Sequence, residues 1–270
     1  KAFSRRKASA GVISYEHQMP EDSIGFGSIC AYEIFLRYWV WGLEYAGSPY
    51  SFHSIGSTIA TTADAYLSVR GMNRREAGED FYFLNKLAKV GPICKITDTT
   101  VYPSARISRR VPFGTGASVD KIARYENQEY DLYDPGVFEI LKMWLESMRM
   151  SYDCDIEQLL SKAGKIYHGF EKFLISRKFA SVWPNIRNNV KNSRDYERQF
   201  HNWFDGFETL KLINHLTREN FPKIGAVLAI RRMISLQNVV FPGNLMVENQ
   251  TDILNYLRRQ SGTATSSLRG

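Results

Sequence analysis

The stretch RREAGEDFYFLNKL, residues 74–87, contains two adjacent carboxylates, Glu79 and Asp80, between a glycine and an aromatic run. Two roles fit this placement. Acids in the first turn of a helix interact favourably with the helix dipole, by a few tenths to about 1 kcal/mol. A carboxylate at the same position can also act as a general base, and the small Ala77-Gly78 step before it leaves room for a substrate. The pair alone does not decide between these roles.

The segments that must position the acidic pair alternate between strand and helix, which is typical of an α/β sheet. A helix is expected from Glu79 to about Val90, ended by Gly91. The other predicted elements are a strand at 10–15, a helix at 23–45, a strand that reaches a turn at Gly56, a helix at 62–69, and a strand at 93–106.

After about residue 119 strand patterns nearly vanish and helical patterns dominate, near 136–150, 155–179, 195–217, 221–236 and 249–260. Pro184, Pro222 and Pro242 are expected to mark joints between helices. The sequence therefore predicts an α/β portion at 1–118, a helical portion at 119–260 and a disordered tail at 261–270. Because the chain opens in KAFSRRKASAGVISY without a methionine, we also expect it to be a piece of a longer protein.

Composition is that of an ordinary soluble globular protein, with 44% hydrophobic and 23% charged residues. The formal net charge of +7 favours polyanionic or phosphorylated partners only weakly. Three widely spaced cysteines, without metal-ligand spacing, favour a reducing cytoplasm, with the inner membrane surface as a variant of that location. The most apolar window, 29–43, is interrupted by Glu33 and Arg37, so no transmembrane segment is expected.

The run from His53 to Gly91 resembles the acceptor-binding half of the family 2 glycosyltransferases, which have the GT-A fold. The resemblance covers about residues 1–118. Its elements are a small-residue turn after a strand, a helix with A-x-Y, a Gly-Gly-Met step and an acidic pair. Here they are Gly56-Ser57, Ala63–Tyr66, Arg70-Gly71-Met72 and Gly78-Glu79-Asp80, so that Arg70 replaces the first glycine of the usual pair.

The resemblance implies an inverting glycosyltransferase, or a fragment of one, with a partial GT-A-like sheet. It would transfer a sugar from a nucleotide-sugar donor to a hydroxyl group of a glycan or another acceptor. If the donor-binding half is missing from this chain, the chain alone is expected to be inactive. Asp80 would be the general base, kept ionised by the helix dipole, and Glu79 would position the acceptor or Asp80. His53, Gly56 and Ser57 would contact substrate; the alternative for His53 is ordinary packing.

A basic loop, PSARISRRVPFGTG at 103–116, follows the strand after the acidic helix. Arg106, Arg109 and Arg110 would close over the diphosphate leaving group, because guanidinium groups bind phosphate oxygens in pairs. An exposed basic surface loop is the alternative. The resemblance also implies a divalent metal, Mn²⁺ or Mg²⁺, held by a D-x-D motif upstream of Lys1, which leaves no metal ligand in this chain.

Asp153-Cys154-Asp155 has the letters of that motif but is predicted to cap a helix instead. Two other functions stay open from the residues. A basic nucleic-acid-binding protein is disfavoured, since acids interleave the basic residues and no recognised binding motif is present. A non-catalytic interaction module would use the helical portion, which is also the expected surface for any homo-oligomer. His17, at a strand end, is expected either to line the cleft or, more often for an isolated histidine, to be structural.

Overall fold

The computed structural model describes residues 8–18, 23–74, 78–105, 131–188, 190–237 and 250–263. These residues form a mixed α/β protein with a small sheet and mostly helices, which confirms the predicted class. The chain divides into two compact units. The first comprises 1–41, 52–132 and 225–270, and the second comprises 42–51 and 133–224. The predicted boundary at 118/119 lies outside the described residues and stays a prediction.

The sheet of the first unit has three strands in the order β2-β1-β3. Strand β1 (Ala10–Tyr15) pairs antiparallel with β2 (Ile59–Thr61) and parallel with β3 (Ile93–Val101). Because β1 is central, its residues are mostly buried, with Ala10 at 0% exposure and Tyr15 at 2%. The pairing with β3 shifts register after Ile13, so the carboxyl end of β1 is offset against its parallel neighbour.

Among the described residues, five helices belong wholly or largely to the first unit. Helix α1 covers Ser23–Tyr45 and continues into the second unit after Trp41. The others are α2 (Ala63–Ser68), α3 (Glu79–Val90), α10 (Ala226–Leu236) and α11 (Gln250–Thr263). The predicted spans of β1, α1 and α3 are confirmed at the residue level. Helix α11 extends three residues into the predicted disordered tail, and the rest of that tail lies outside the described residues.

Ser9 fixes the end of α3 against the start of β1. Its hydroxyl oxygen lies 3.0 Å from the Leu87 carbonyl oxygen and 2.9 Å from that of Gly91. The Ser9 carbonyl in turn accepts a hydrogen bond from the Thr61 hydroxyl at 2.9 Å. One buried polar residue therefore connects helix α3, strand β1 and the end of strand β2, and this holds the acidic start of α3 in a fixed relation to the sheet.

The second unit is helical and packs around Trp144, whose ring has 0% exposure and contacts four phenylalanines, Phe170, Phe179, Phe200 and Phe204. Its helices are α4 (Gly136–Arg149), α5 (Ile156–Ile166), α6 (Phe170–Ser176), α7 (Phe179–Asn188), α8 (Ser193–Trp203) and α9 (Gly206–Glu219). Two short strands, β4 (Asp131–Leu132) and β5 (Ile224–Gly225), complete the described elements.

Three local predictions were wrong in detail. The region 155–179 is two helices, because Tyr167 is extended and interrupts them. The region 195–217 is also two helices, because the Asp205 side chain caps α9 by accepting from the Phe207 and Glu208 N–H groups. Pro184 lies inside α7 rather than at a joint. Asp155, in contrast, caps α5 as predicted, in a capping box with Gln158.

The segment before Gly56 was predicted to be a strand, but the strand follows it. Residues Gly56–Thr58 form one 3₁₀ turn and β2 begins at Ile59. Among the described residues, no helix combines the length and apolar character that crossing a bilayer requires.

Candidate active site

The acidic pair occupies the first turn of α3, as predicted. Gly78 precedes it in the left-handed conformation, with φ of 72°, and a side-chain carbon added there would meet nothing within 4 Å. Glycine is favoured at such a position because it has no Cβ penalty there. Among the described residues, no atom lies within 4 Å of the place that a Gly78 side chain would fill, at the start of α3.

The Gly56 turn lies against Asp80. A side-chain carbon added to Gly56 would be 3.9 Å from Asp80 Cβ, and Gly56 also makes a backbone hydrogen bond to the Asp80 carboxylate. Thr58 stabilises this turn from its buried side, since its hydroxyl donates to the Ile55 carbonyl at 2.8 Å. Gly56 and Ser57 are themselves exposed. The structure therefore brings together two predicted site elements that are distant in sequence.

Two opposing effects act on the Asp80 carboxyl. Burial raises its pKa above the ordinary value of 3.8, and the negative charge of Glu79 adds to this, while backbone hydrogen bonds from Phe81 and Gly56 oppose it. The Phe81 N–H donates to Asp80 Oδ1 at 2.7 Å. The net direction is upward, so burial outweighs the backbone hydrogen bonds. A partly buried carboxylate with a raised pKa is a stronger base than an exposed one.

No protein-family model, curated protein or solved structure matches this chain significantly. Its site must be judged on its own geometry.

His53 lies three positions before Gly56 and is partly exposed. Its Nδ1 is 3.5 Å from the Tyr15 hydroxyl, at the end of strand β1. Burial of the ring and the charges of Arg37 and Lys95 lower the pKa of His53 to about 3. His53 is therefore neutral near pH 7, where it can donate or accept a hydrogen bond but carries no charge.

The remaining predicted residues are not placed. Arg106, Arg109 and Arg110 lie outside the described residues, so their closure over a diphosphate stays a prediction. Within the described part of the chain, no group of three or more His, Cys, Asp or Glu residues has an arrangement that would hold a metal ion.

Sequence reasoning missed a buried ionic cluster around Glu33. This carboxylate has 0% side-chain exposure and accepts from Arg37 Nε at 2.8 Å, Arg258 Nε at 2.8 Å, and His17 Nδ1 at 2.9 Å. Burial opposes its ionisation, but the hydrogen bonds from His17 and Arg258 and the charge of Arg37 outweigh burial and hold the pKa of Glu33 well below 4.5. The cluster joins helix α1, helix α11 and the segment after β1.

One local signal pointed to part of this cluster. Glu33 and Arg37 are four residues apart on an otherwise apolar helix, the spacing of a helical ion pair. Nothing in the sequence near them indicates Arg258. His17 is structural in this arrangement, since its side chain has 0% exposure and its ring hydrogen-bonds to Glu33.

Proposed function

We propose that this chain carries the acceptor-activating part of an inverting glycosyltransferase with a GT-A-like fold, with Asp80 as the general base. The proposal depends above all on the contact between the Gly56 turn and Asp80, where Gly78 precedes α3. In the proposed reaction the acceptor hydroxyl gives its proton to the Asp80 carboxylate. Its oxygen attacks the anomeric carbon of the donor, and the bond from that carbon to the diphosphate oxygen breaks.

The backbone between α2 and α3 supports the proposal. Arg70, which replaces a glycine of the family pattern, has φ of 59°, and Gly71 has φ of 68°. Both values lie in the left-handed region that glycine favours. Lys86 of α3 donates to the Gly71 carbonyl at 3.1 Å and so holds this step against the acidic helix.

The donor side of the reaction is proposed from the resemblance alone. A nucleotide-sugar would supply the sugar, Arg106, Arg109 and Arg110 would neutralise the leaving diphosphate, and Mn²⁺ or Mg²⁺ would be the metal. None of the described residues is assigned to the metal, and no step is derived through it. Glu79, adjacent to Asp80 and partly exposed, is assigned to orienting the acceptor.

A thermal-shift panel tests the proposal. The chain is heated with nucleoside diphosphates and with nucleotide-sugars, each with and without Mn²⁺, and with a single-stranded oligonucleotide. Binding to the folded state raises the melting temperature by mass action. Stabilisation by one nucleotide class supports a glycosyltransferase. Stabilisation by the oligonucleotide alone contradicts it and favours nucleic-acid binding.

A further inference from the structure

His53 has one hydrogen-bonding nitrogen that faces the sheet. Its Nδ1 lies 3.5 Å from the Tyr15 hydroxyl oxygen, at the long end of hydrogen-bonding distance, and the two rings meet edge to face with centroids 5.0 Å apart. His53 is partly exposed, whereas Tyr15 is 2% exposed. The His53 ring is thus anchored on its Nδ1 side by a buried phenol.

The direction of this hydrogen bond follows from the Tyr15 hydroxyl. Among the described residues, His53 is the hydrogen-bond partner of the Tyr15 hydroxyl. Burial raises the pKa of Tyr15 far above 10, so the phenol keeps its proton. If Nδ1 carried a proton and donated, the buried phenolic hydrogen would have no acceptor among the described residues, and an unsatisfied buried donor costs about 1–3 kcal/mol. Tyr15 therefore donates and His53 Nδ1 accepts.

Tyr15 cannot easily move away from this position. The Arg37 guanidinium lies over its ring, 4.5 Å from the centroid, and Arg37 Nη2 donates to the Tyr15 backbone carbonyl. Arg37 is in turn held by Glu33 at 2.8 Å. The Glu33 cluster therefore fixes the phenol that orients His53.

We propose that Tyr15 holds His53 as the tautomer protonated on Nε2, and that His53 donates this proton in a hydrogen bond to an oxygen atom of the bound substrate. The oxygen belongs either to the diphosphate or to an acceptor hydroxyl, because both accept from a neutral imidazole N–H. Tyr15 is then a positioning residue. The identity of the ligand rests on the proposed function, whereas the tautomer does not.

His17 gives an internal comparison within the same unit. Its Nδ1 is 2.9 Å from Glu33 Oε2, and an ionised carboxylate only accepts, so Nδ1 of His17 carries a proton. His17 and His53 are therefore expected to differ at the same ring atom, although both lie beside Tyr15. One spectrum can record both.

Long-range ¹H–¹⁵N NMR spectra of the whole chain near neutral pH distinguish protonated from unprotonated ring nitrogens. His53→Asn assigns the His53 signals by their loss. We expect His53 to show an unprotonated Nδ1 and a protonated Nε2, and His17 to show a protonated Nδ1. A protonated Nδ1 on His53, or an even mixture of tautomers, would overturn the proposal, and neither outcome requires enzymatic activity.

Tyr15→Phe is expected to shift His53 toward a tautomer mixture, while Tyr102→Phe, at a tyrosine that is 59% exposed, leaves it unchanged. Titration with inorganic pyrophosphate and, separately, with a methyl glucoside distinguishes the two oxygen sources. Movement of the His53 Nε2–H signal with either probe supports the contact and names its class. If the His53 Nε2–H signal does not move at saturating concentrations of either probe, the proposed substrate contact is wrong. The proposed function is tested separately, because it fails if Asp80→Asn retains sugar transfer.

Discussion

Asp80 and Gly56 lie against each other at the start of α3, with the position of a Gly56 side-chain carbon 3.9 Å from Asp80 Cβ. Burial at this position raises the pKa of the Asp80 carboxyl, while the backbone hydrogen bond from Gly56 opposes the rise. A group placed this way weakens the fold at neutral pH, which is a common property of active sites. The position of Asp80 therefore affects the stability of the fold as well as the basicity of its carboxylate.

Asp80→Asn is expected to raise the melting temperature near neutral pH. The folded-state pKa of Asp80 lies above its unfolded value, so this acid destabilises the fold increasingly as the pH rises from about 3.8 through the folded-state pKa. Asparagine removes that penalty and keeps an oxygen that accepts from the Phe81 N–H. Differential scanning calorimetry at several pH values measures the effect.

The control for this prediction is Asp98→Asn, at an exposed aspartate of β3. It is expected to change stability little. A melting temperature that falls in Asp80→Asn at neutral pH, by more than in the control, would show that Asp80 is a structural cap.

Glu33→Ala is expected to lower the free energy of unfolding by about 3–5 kcal/mol, the usual cost of removing one partner from a buried ion pair. The change leaves the guanidinium of Arg37, which is 4% exposed, without its carboxylate. Urea denaturation measures it. Glu146→Ala, in an exposed pair with Lys142, is the matched control and should stay within about 0.5 kcal/mol. Equal losses in both variants would contradict a special role for the buried cluster.

The Glu33 cluster also predicts sensitivity to acid. The folded-state pKa of Glu33 lies below 4.5, so its contribution to stability is complete above about pH 4.5 and is lost as the pH falls toward the folded-state pKa. The stability difference between the natural chain and Glu33→Gln should therefore shrink as the pH decreases below that value. Urea midpoints measured in a pH series test this, and a difference that stays constant in acid would contradict it.

Arg70→Gly is expected to stabilise the protein by about 0.5–1 kcal/mol, because the left-handed region costs an L-residue more than the extra freedom of unfolded glycine does. Arg70 has φ of 59° and an exposed side chain. Arg74→Gly, at an exposed arginine without a positive φ, should not stabilise. Thermal denaturation of both variants measures the two changes in stability. A loss of stability in Arg70→Gly would show that the arginine side chain makes a favourable contact.

Two glycines of helix α1 should respond oppositely to alanine. A carbon added at Gly42 would be 2.5 Å from the Phe138 ring, so Gly42→Ala is expected to cost about 1–3 kcal/mol through overpacking. For a carbon added at Gly27 the nearest atom of the described residues is 4.0 Å away, so alanine should stabilise the helix by up to about 1 kcal/mol. Chemical denaturation compares the free energies of unfolding of the two variants. Equal changes in both would contradict the close packing of Gly42 against Phe138.

Local patterns in the sequence predicted the elements that position the candidate site. Helix α3 could be predicted at both ends, because Gly78 and the acids mark its start and Gly91 its end. The position of strand β2 could not be predicted, because β-branched residues lie on both sides of Gly56. Pairing with β1 decides which of these residues form the strand.

Long-range pairing explains the rest of what the sequence did not predict. Glu33 and Arg258 are 225 residues apart, and neither periodicity nor spacing connects them. The contact of Asp80 with Gly56 was implied only by resemblance to a family whose members place these elements together. Side-chain chemistry near a helix terminus is local, but the burial that sets the pKa of Asp80 comes from the fold.

The most direct test of the central claim is a turnover measurement on an intact enzyme that contains this chain, which compares the natural sequence with Asp80→Asn and Asp98→Asn. Sugar transfer from nucleotide-sugar donors to hydroxyl acceptors is followed by ¹H NMR, which also reports the anomeric configuration of the product. A general-base role for Asp80 predicts an inverted product and a loss of about 10²–10⁴-fold in kcat for Asp80→Asn, with Asp98→Asn unaffected. Transfer retained at the natural rate in Asp80→Asn, or a product with retained configuration, would contradict it.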